Sequence, residues 1–198
     1  MNTLTTVMFW IASGFLIPVV IGLLYFFVRS ILLLGGFVSK YVQRSRMEKE
    51  VKAAMENLNE SNVRDLKFSP GISSNPLVNC MNSIVSNEYN EAVVNKTVSE
   101  YELAGGKELD QAKILVKFGP ILGLMGTLIP MGPALAGLSS GDIASMAYNM
   151  QVAFATTVLG LFAGAVGFVL YQTKQRWAQK DLVRLDFVCQ LMKQSQNA

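Results

Sequence analysis

Three hydroxyls stand in long stretches that hold almost no other reactive group. Thr127 lies in "KFGPILGLMGTLIPMGPALAGL" (117–138), and Thr156 and Thr157 adjoin in "AFATTVLGLFAGAVGFVLY" (153–171). A threonine hydroxyl donates one hydrogen bond and can accept two. Set in an apolar wall, it can steady a protonated carboxyl or lend an oxygen to a cation. It brings no charge of its own. Between residues 118 and 173 the one charged side chain is Asp142, which falls in a turn. An ion crossing here needs a countercharge that the chain does not supply, so the carrier carboxylate is expected from a partner.

Other chemistry finds little support. The chain has no histidine, which removes the commonest general base and metal ligand together. Cys80 and Cys189 are far apart and form no Cys-x-x-Cys. "GPILGLMGT" lacks the Gly-Lys-Ser/Thr ending of a phosphate loop. The basic residues flank apolar stretches, so nucleic-acid binding has no footing. No enzyme activity, cofactor or metal site is expected.

The elements that carry the hydroxyls are set by the distribution of charge. Residues 1–28 hold no charged side chain, and all 17 Lys and Arg fall in 29–117 and 174–198. A bilayer core of about 30 Å asks for roughly 20 apolar residues in a helix. Three spans follow, at 6–28 (with further apolar sequence to 38), 118–138 and within 143–172, embedded in a lipid bilayer. The N-terminal run has no basic leader and is too long for a signal peptide, so it reads as a retained span. Basic residues at "SKYVQRSRMEKEVK" and "KQRWAQKDLVR" place those segments in the cytoplasm, while "SSGDIAS" without Lys or Arg faces outward. The N-terminus is expected outside and the C-terminus inside. Both cysteines then lie in a reducing compartment, where no disulfide is expected.

This gives an N-terminal transmembrane helix (1–38), a cytoplasmic helical region (39–111), a transmembrane hairpin lining a pore (112–173) and a cytoplasmic amphipathic C-terminal helix (174–198). Within 39–111, "SPGISSNP" (69–76) reads as a loop. Leu77, Met81, Ile84, Val85, Val94, Val98 and Tyr101 predict one amphipathic helix ended by Gly105-Gly106, with another starting near Lys107. Trp177, Leu182, Leu185, Val188 and Leu191 mark the amphipathic tail.

In the hairpin, Ala153, Thr157, Gly160, Gly164 and Gly167 are spaced to share one helix face. Gly119, Gly123, Thr127, Pro130, Ala134 and Gly137 make a similar stripe, with Gly126 and Pro133 beside it. Small residues in rows let helices approach closely in lipid. A threonine in such a row can also bond the carbonyl one turn back. Pro130 and Pro133 remove backbone donors and free carbonyls near Thr127, which membrane helices tolerate where the backbone is buried or lines a wet cavity.

"GPILGLMGTLIPMGPAL" followed by "AFATTVLGLFAGAVGFVLY" resembles the MotA/TolQ/ExbB proton channel family, and the three-span order resembles its TolQ/ExbB branch. The resemblance implies an all-α, ring-forming homopentamer around two copies of a single-span, aspartate-bearing partner similar to ExbD, TolR or MotB. It implies an inner-membrane motor or energiser that couples flow of H⁺, with Na⁺ as the second choice, to mechanical work. Thr127 and Thr157 match the family's second- and third-span threonines near that aspartate, and Thr156 adds a hydroxyl to the ion path. Gly123, Gly126, Pro130, Pro133, Ala153, Gly160, Gly164 and Gly167 become wall and packing residues. TolQ- and ExbB-like members carry a glutamate one turn before the third-span threonine. Here Val152 stands there, and Ala155 precedes the threonine pair where relatives sharing "GLMGTLIP" often carry an acid. A non-conducting pentameric scaffold is the alternative reading.

Overall fold

The computed structural model describes all residues except 1, 57, 60, 61, 64, 65, 67, 69–74, 87–89 and 198, and the side chains of 2, 5 and 197. Every element among the described residues is helical: α1 (Asn2–Gly14), α2 (Leu16–Glu56), α3 (Pro76–Ser86), α4 (Glu91–Ser140) and α5 (Ile143–Asn197). Three helices are long and apolar enough to cross a membrane, within Thr6–Glu56, Glu91–Ser140 and Ile143–Gln196. The loop expected at 69–76 falls largely outside the described residues.

Caps explain where these helices start. Pro76 opens α3 at the one position where its missing N–H costs nothing, and the Asn75 side chain accepts from Leu77 N–H at 3.0 Å. Asn90 accepts from Ala92 and Val93 N–H ahead of α4. Asp142 accepts from Ser145 N–H at 3.0 Å ahead of α5. These side-chain oxygens take up donors that a first helical turn leaves unpaired. Between α1 and α2 the chain barely pauses. Pro18 cannot donate to the Gly14 carbonyl, yet Phe15 N–H still reaches Ile11 and Ala12, and Val19 N–H reaches Phe15.

The single helix expected from Leu77 to Tyr101 is two helices, α3 ending at Ser86 and α4 starting after the Asn90 cap. Nor does Gly105-Gly106 end a helix, since α4 runs through both glycines without a break at Lys107. Two glycines weaken a helix by about 1 kcal/mol each relative to alanine. That penalty does not stop a 50-residue helix whose flanking turns are packed.

The chain divides into two compact units, residues 1–36 with 111–171 and residues 37–110 with 172–198. In the first, large apolar side chains face outward: Ile21, Leu24 and Val28 on α2, Leu124 and Leu128 on α4, Phe154 and Val158 on α5. Such a surface suits lipid or another apolar partner, not water. Small residues and a few large ones, including Leu23, Leu115 and Leu170, fill its interior.

The second unit has an ordinary apolar core. Met47 and Val51 of α2, Leu77, Met81 and Ile84 of α3, and Leu185, Val188 and Met192 of α5 are buried together. The buried row on the C-terminal part of α5 also includes Asp181, which is 2% exposed. Asp181 accepts a charge-assisted hydrogen bond from Arg44 and another from the Tyr101 hydroxyl at 2.7 Å. It therefore ties α2, α4 and α5 at one point. Arg44 also lies 5.7 Å from the Trp177 ring centre, and Phe37 stacks on the same indole at 5.5 Å. Burial first, and then the Asp181 charge, raise the Tyr101 phenol above its ordinary range.

Surface ion pairs join the same three helices. Glu108 accepts from Lys40 at 2.9 Å and from Lys174 at 3.2 Å. Glu48 accepts from Lys180 at 3.0 Å, with Arg184 at 3.4 Å. The Lys180 hydrogen bond holds Glu48 below the usual carboxylate value. Burial pushes Glu108 up, but the Lys40 hydrogen bond and the Lys174 charge outweigh it and leave that carboxyl lowered too. Cys80 and Cys189 are free thiols. Burial, with Cys189 nearby, pushes Cys80 up to about 11.

Candidate functional site

The hairpin turn fixes the register on which the candidate site depends. α4 closes in a Schellman cap: Asp142 N–H bonds the Gly137 carbonyl at 2.8 Å and Gly141 N–H bonds that of Leu138 at 3.2 Å. The residue at this cap must adopt a left-handed backbone, and Gly141 does so at φ 77°, where a side chain would be strained. Two residues separate the end of α4 from the start of α5, which runs back antiparallel to it.

The two helices then meet through their small residues. A Cβ placed on Gly160 would lie 2.6 Å from the Gly119 carbonyl oxygen and 2.7 Å from Gly123 Cα. On Gly119 it would meet the Gly160 carbonyl at 2.8 Å, and on Gly164 the Pro120 ring at 2.8 Å. On Gly167 it would meet Leu115 and Val116. Ala153, 4% exposed, is buried on the same face of α5. The glycine stripes are thus consumed within one chain, which answers why a span should be built from residues that weaken helices. Backbone contact in place of side-chain contact is what packing in lipid rewards.

The expected rows need one shift. The buried α5 threonine is Thr156, 5% exposed, and its partner across the contact is Gly126. Thr157 and Thr127 lie one residue off the buried stripes and are half-buried. A helical wheel does not choose between Thr156 and Thr157, because they lie about 50° to either side of the line through Ala153, Gly160, Gly164 and Gly167.

Contacts with α2 show which side those two threonines take. Gly22 approaches Leu122, Phe26 stacks on Phe118 at 6.2 Å, and Phe27 meets Phe162 at 5.4 Å. At about 100° per residue, Thr127 is turned roughly 140° from Leu122 and 180° from Phe118, and Thr157 roughly 140° from Phe162. Both threonines therefore occupy the side of the hairpin away from α2. Their depth is also shared. The contacts Gly119–Gly164, Gly123–Gly160 and Gly126–Thr156 define an antiparallel register that puts Thr127 level with Thr156 and Thr157.

Each hydroxyl bonds its own helix. Thr127 donates to the Leu124 carbonyl at 2.7 Å, Thr157 to that of Ala153 at 3.1 Å, and Thr156 to those of Ala153 and Val152 at 2.9 and 3.1 Å. With the protons so placed, the oxygens keep lone pairs for an outside donor or cation. Pro130, buried, and Pro133, half-buried, remove the N–H groups that would have bonded the carbonyls of Gly126 and Ile129. The Gly126 carbonyl adjoins Thr127. No acid stands among them, for Asp142 serves as the α5 cap. Among the described residues no cluster of three or more His, Cys, Asp or Glu could hold a metal ion.

Residues 73–186, more than half of the chain, match the MotA/TolQ/ExbB proton channel family. The chain belongs to that family. The match covers α3, α4 and most of α5, well beyond the hairpin motifs. With the three apolar helices it makes the protein a multi-pass membrane protein of an ion-channel family. Comparison with individual curated proteins gives no match.

Residue-level reading of the sequence did not find Asp181 or Arg44. Asp181 keeps the spacing of Leu185, Val188 and Met192 on α5, so an acid in an apolar row was the available signal. Ala163 and Leu170, both buried in the first unit, follow from the same row once the register is known.

Proposed function

We propose that this protein is the ring-forming subunit of an ion-driven motor or energiser of the TolQ/ExbB type. Five copies enclose two copies of a single-span partner similar to ExbD, TolR or MotB, whose aspartate carries the ion. H⁺ is the transported ion, with Na⁺ second. The observation that carries this reading is the placement of Thr127 and Thr157 at one depth on the side of the hairpin away from α2, in a wall without a carboxylate. A ring that turns this side inward offers a protonated aspartate, which can donate, two hydroxyl oxygens that accept, with no competing charge. An ion arriving from outside neutralises that aspartate, lets it pass the apolar wall, and leaves inward. One charge falling through 100 mV yields about 2.3 kcal/mol per cycle, enough to bias a step of the partner. In this arrangement the protein lies in the inner membrane with its N-terminus outside and the second unit cytoplasmic.

A second reading rests on Val152 and Ala155: the ring is a pentameric scaffold that organises partners without conducting. Native mass spectrometry of the gently extracted complex, co-expressed with its neighbouring gene products, tests assembly. Proton flux in vesicles containing that complex tests conduction. A pentamer holding two aspartate-bearing partners, with flux abolished by Thr127→Val and Thr157→Val, supports the motor. Such a pentamer without flux supports the scaffold, and the absence of a pentamer sinks both.

A further inference from the structure

Arg29 is the one charge in the first 39 residues, and it sits inside an apolar run that continues through "ILLLGGFV". The guanidinium is held in place: Nη1 donates to the Tyr25 hydroxyl at 2.6 Å, and the group lies 5.8 Å from the Tyr25 ring centre. Tyr25 is itself 55% exposed. Among the described residues the guanidinium makes this one hydrogen bond of the five its N–H groups could make. In the unit formed by 1–36 and 111–171, the basic residues are Arg29, Lys113 and Lys117, and the sole acid, Asp142, caps the opposite end of the hairpin.

The depth of Arg29 follows from two contacts. Gly22 with Leu122 and Phe26 with Phe118 set an antiparallel register that brings Arg29 level with Leu115. That lies between Lys113 and Lys117, within about 3 Å of depth of each. Lys117 is the first charge met on leaving the uncharged span, so this level is the edge of the hydrocarbon. Arg29 is half-buried and turned about 60° from Phe26, so it lies at the flank of the α2–α4 contact with the exposed Tyr25 beside it, while Leu24, Val28 and Leu32 on the open face of α2 are 48%, 54% and 70% exposed.

We propose that the Arg29–Tyr25 pair is a seat for the phosphate of an anionic phospholipid. A planar guanidinium matches phosphate bidentately, and a tyrosine at this depth keeps its ring in the apolar layer and its hydroxyl in the headgroups. Lys113 and Lys117 lie at the same level, turned about 140° and 100° from Phe118, and add positive field there. The inference concerns a lipid contact on the outer surface and does not depend on ion conduction.

The test uses the full chain extracted in mild detergent, with phosphatidylglycerol and phosphatidylcholine as probes and retained lipid read by native mass spectrometry. Wild type should retain phosphatidylglycerol in preference, and Arg29→Gln should lower that preference about fivefold, the factor set by one basic residue at an anionic surface. Arg29→Lys should fall between them, and Tyr25→Phe should weaken retention while leaving the charge. Equal retention by Arg29→Gln and wild type overturns the proposal, as does equal retention of the two lipids by wild type. If millimolar inorganic phosphate displaces the bound lipid, the site is one for free phosphate and the lipid assignment fails. Should Arg29→Gln not insert, Tyr25→Phe decides: unchanged lipid preference in that variant rejects the seat.

Discussion

A Cβ added to Gly126 would lie 2.6 Å from the Cβ of Thr156 and 2.7 Å from its hydroxyl oxygen. Thr156 is therefore a packing residue across the hairpin, and its hydroxyl is satisfied twice by carbonyls of its own helix. Its neighbour Thr157 is the one turned to the open side. Thr156→Val keeps the shape and removes only the hydroxyl, so ion flux should persist in that variant. Thr127→Val and Thr157→Val should abolish it while the complex still assembles. Flux lost on Thr156→Val alone would reverse this division of roles.

Glycines of α4 and α5 fall into two classes with opposite expected effects. Gly160→Ala drives a methyl into backbone atoms of Gly119 and Gly123, which cannot rotate away, and should cost about 1–3 kcal/mol as overpacking. Gly105→Ala meets nothing within 4 Å and should gain about 0.5–1 kcal/mol from the helix backbone. Thermal unfolding in detergent should show Tm moving down for the first and up for the second. Equal shifts would refute the close approach of α4 and α5.

Asp181 is 2% exposed, and the Arg44 side chain that bonds it is 12% exposed, with the Trp177 ring as a further contact. Asp181→Asn takes from the buried Arg44 guanidinium the carboxylate it bonds directly and should cost about 3–5 kcal/mol. Replacing both partners with apolar residues, as in Arg44→Met with Asp181→Leu, should recover most of that loss. A single variant as stable as wild type would show that the network contributes nothing.

Stability should also depend on pH at both ends of the range. The folded-state values of Glu48 and Glu108 lie below the ordinary 4.5, so their contribution is present above that value and disappears as pH falls through the lowered values. Cys80 is raised from 9.0 to about 11, so its contribution is complete below 9.0 and disappears as pH rises toward 11. Unfolding midpoints followed across these two windows should decline at each edge. Glu108→Gln should flatten part of the acid limb, and Cys80→Ala the alkaline one. A midpoint independent of pH below 4.5 would contradict the Lys40–Glu108–Lys174 node.

Much of this protein is legible in one dimension because lipid imposes a one-dimensional rule. A span must be long and uncharged, so blocks such as 1–28 and 118–141 announce themselves without any neighbour being known. Small residues at spacings of three and four likewise mark a face that packs closely, and the run around Thr127 carries the family likeness. Local signals misled where their effect depends on what surrounds them. Gly105-Gly106 reads locally as a helix end, but a glycine's penalty is small against a long helix held on both sides. The real interruption came at Asn90, whose side chain caps a new start.

Three apolar spans, the segregation of charge, the want of a carboxylate near Thr127 and the glycine faces all follow from residue order. That those glycines meet one another inside one hairpin, that Thr156 is spent on that contact while Thr127 and Thr157 are turned away from α2, and that Asp181 joins three helices follow from the folded chain. The physical reason is that a helix face is a property of spacing, whereas the partner of that face is a property of register. Register is set by contacts such as Gly119 with Gly164 and Phe26 with Phe118, between residues that only the folded chain brings together.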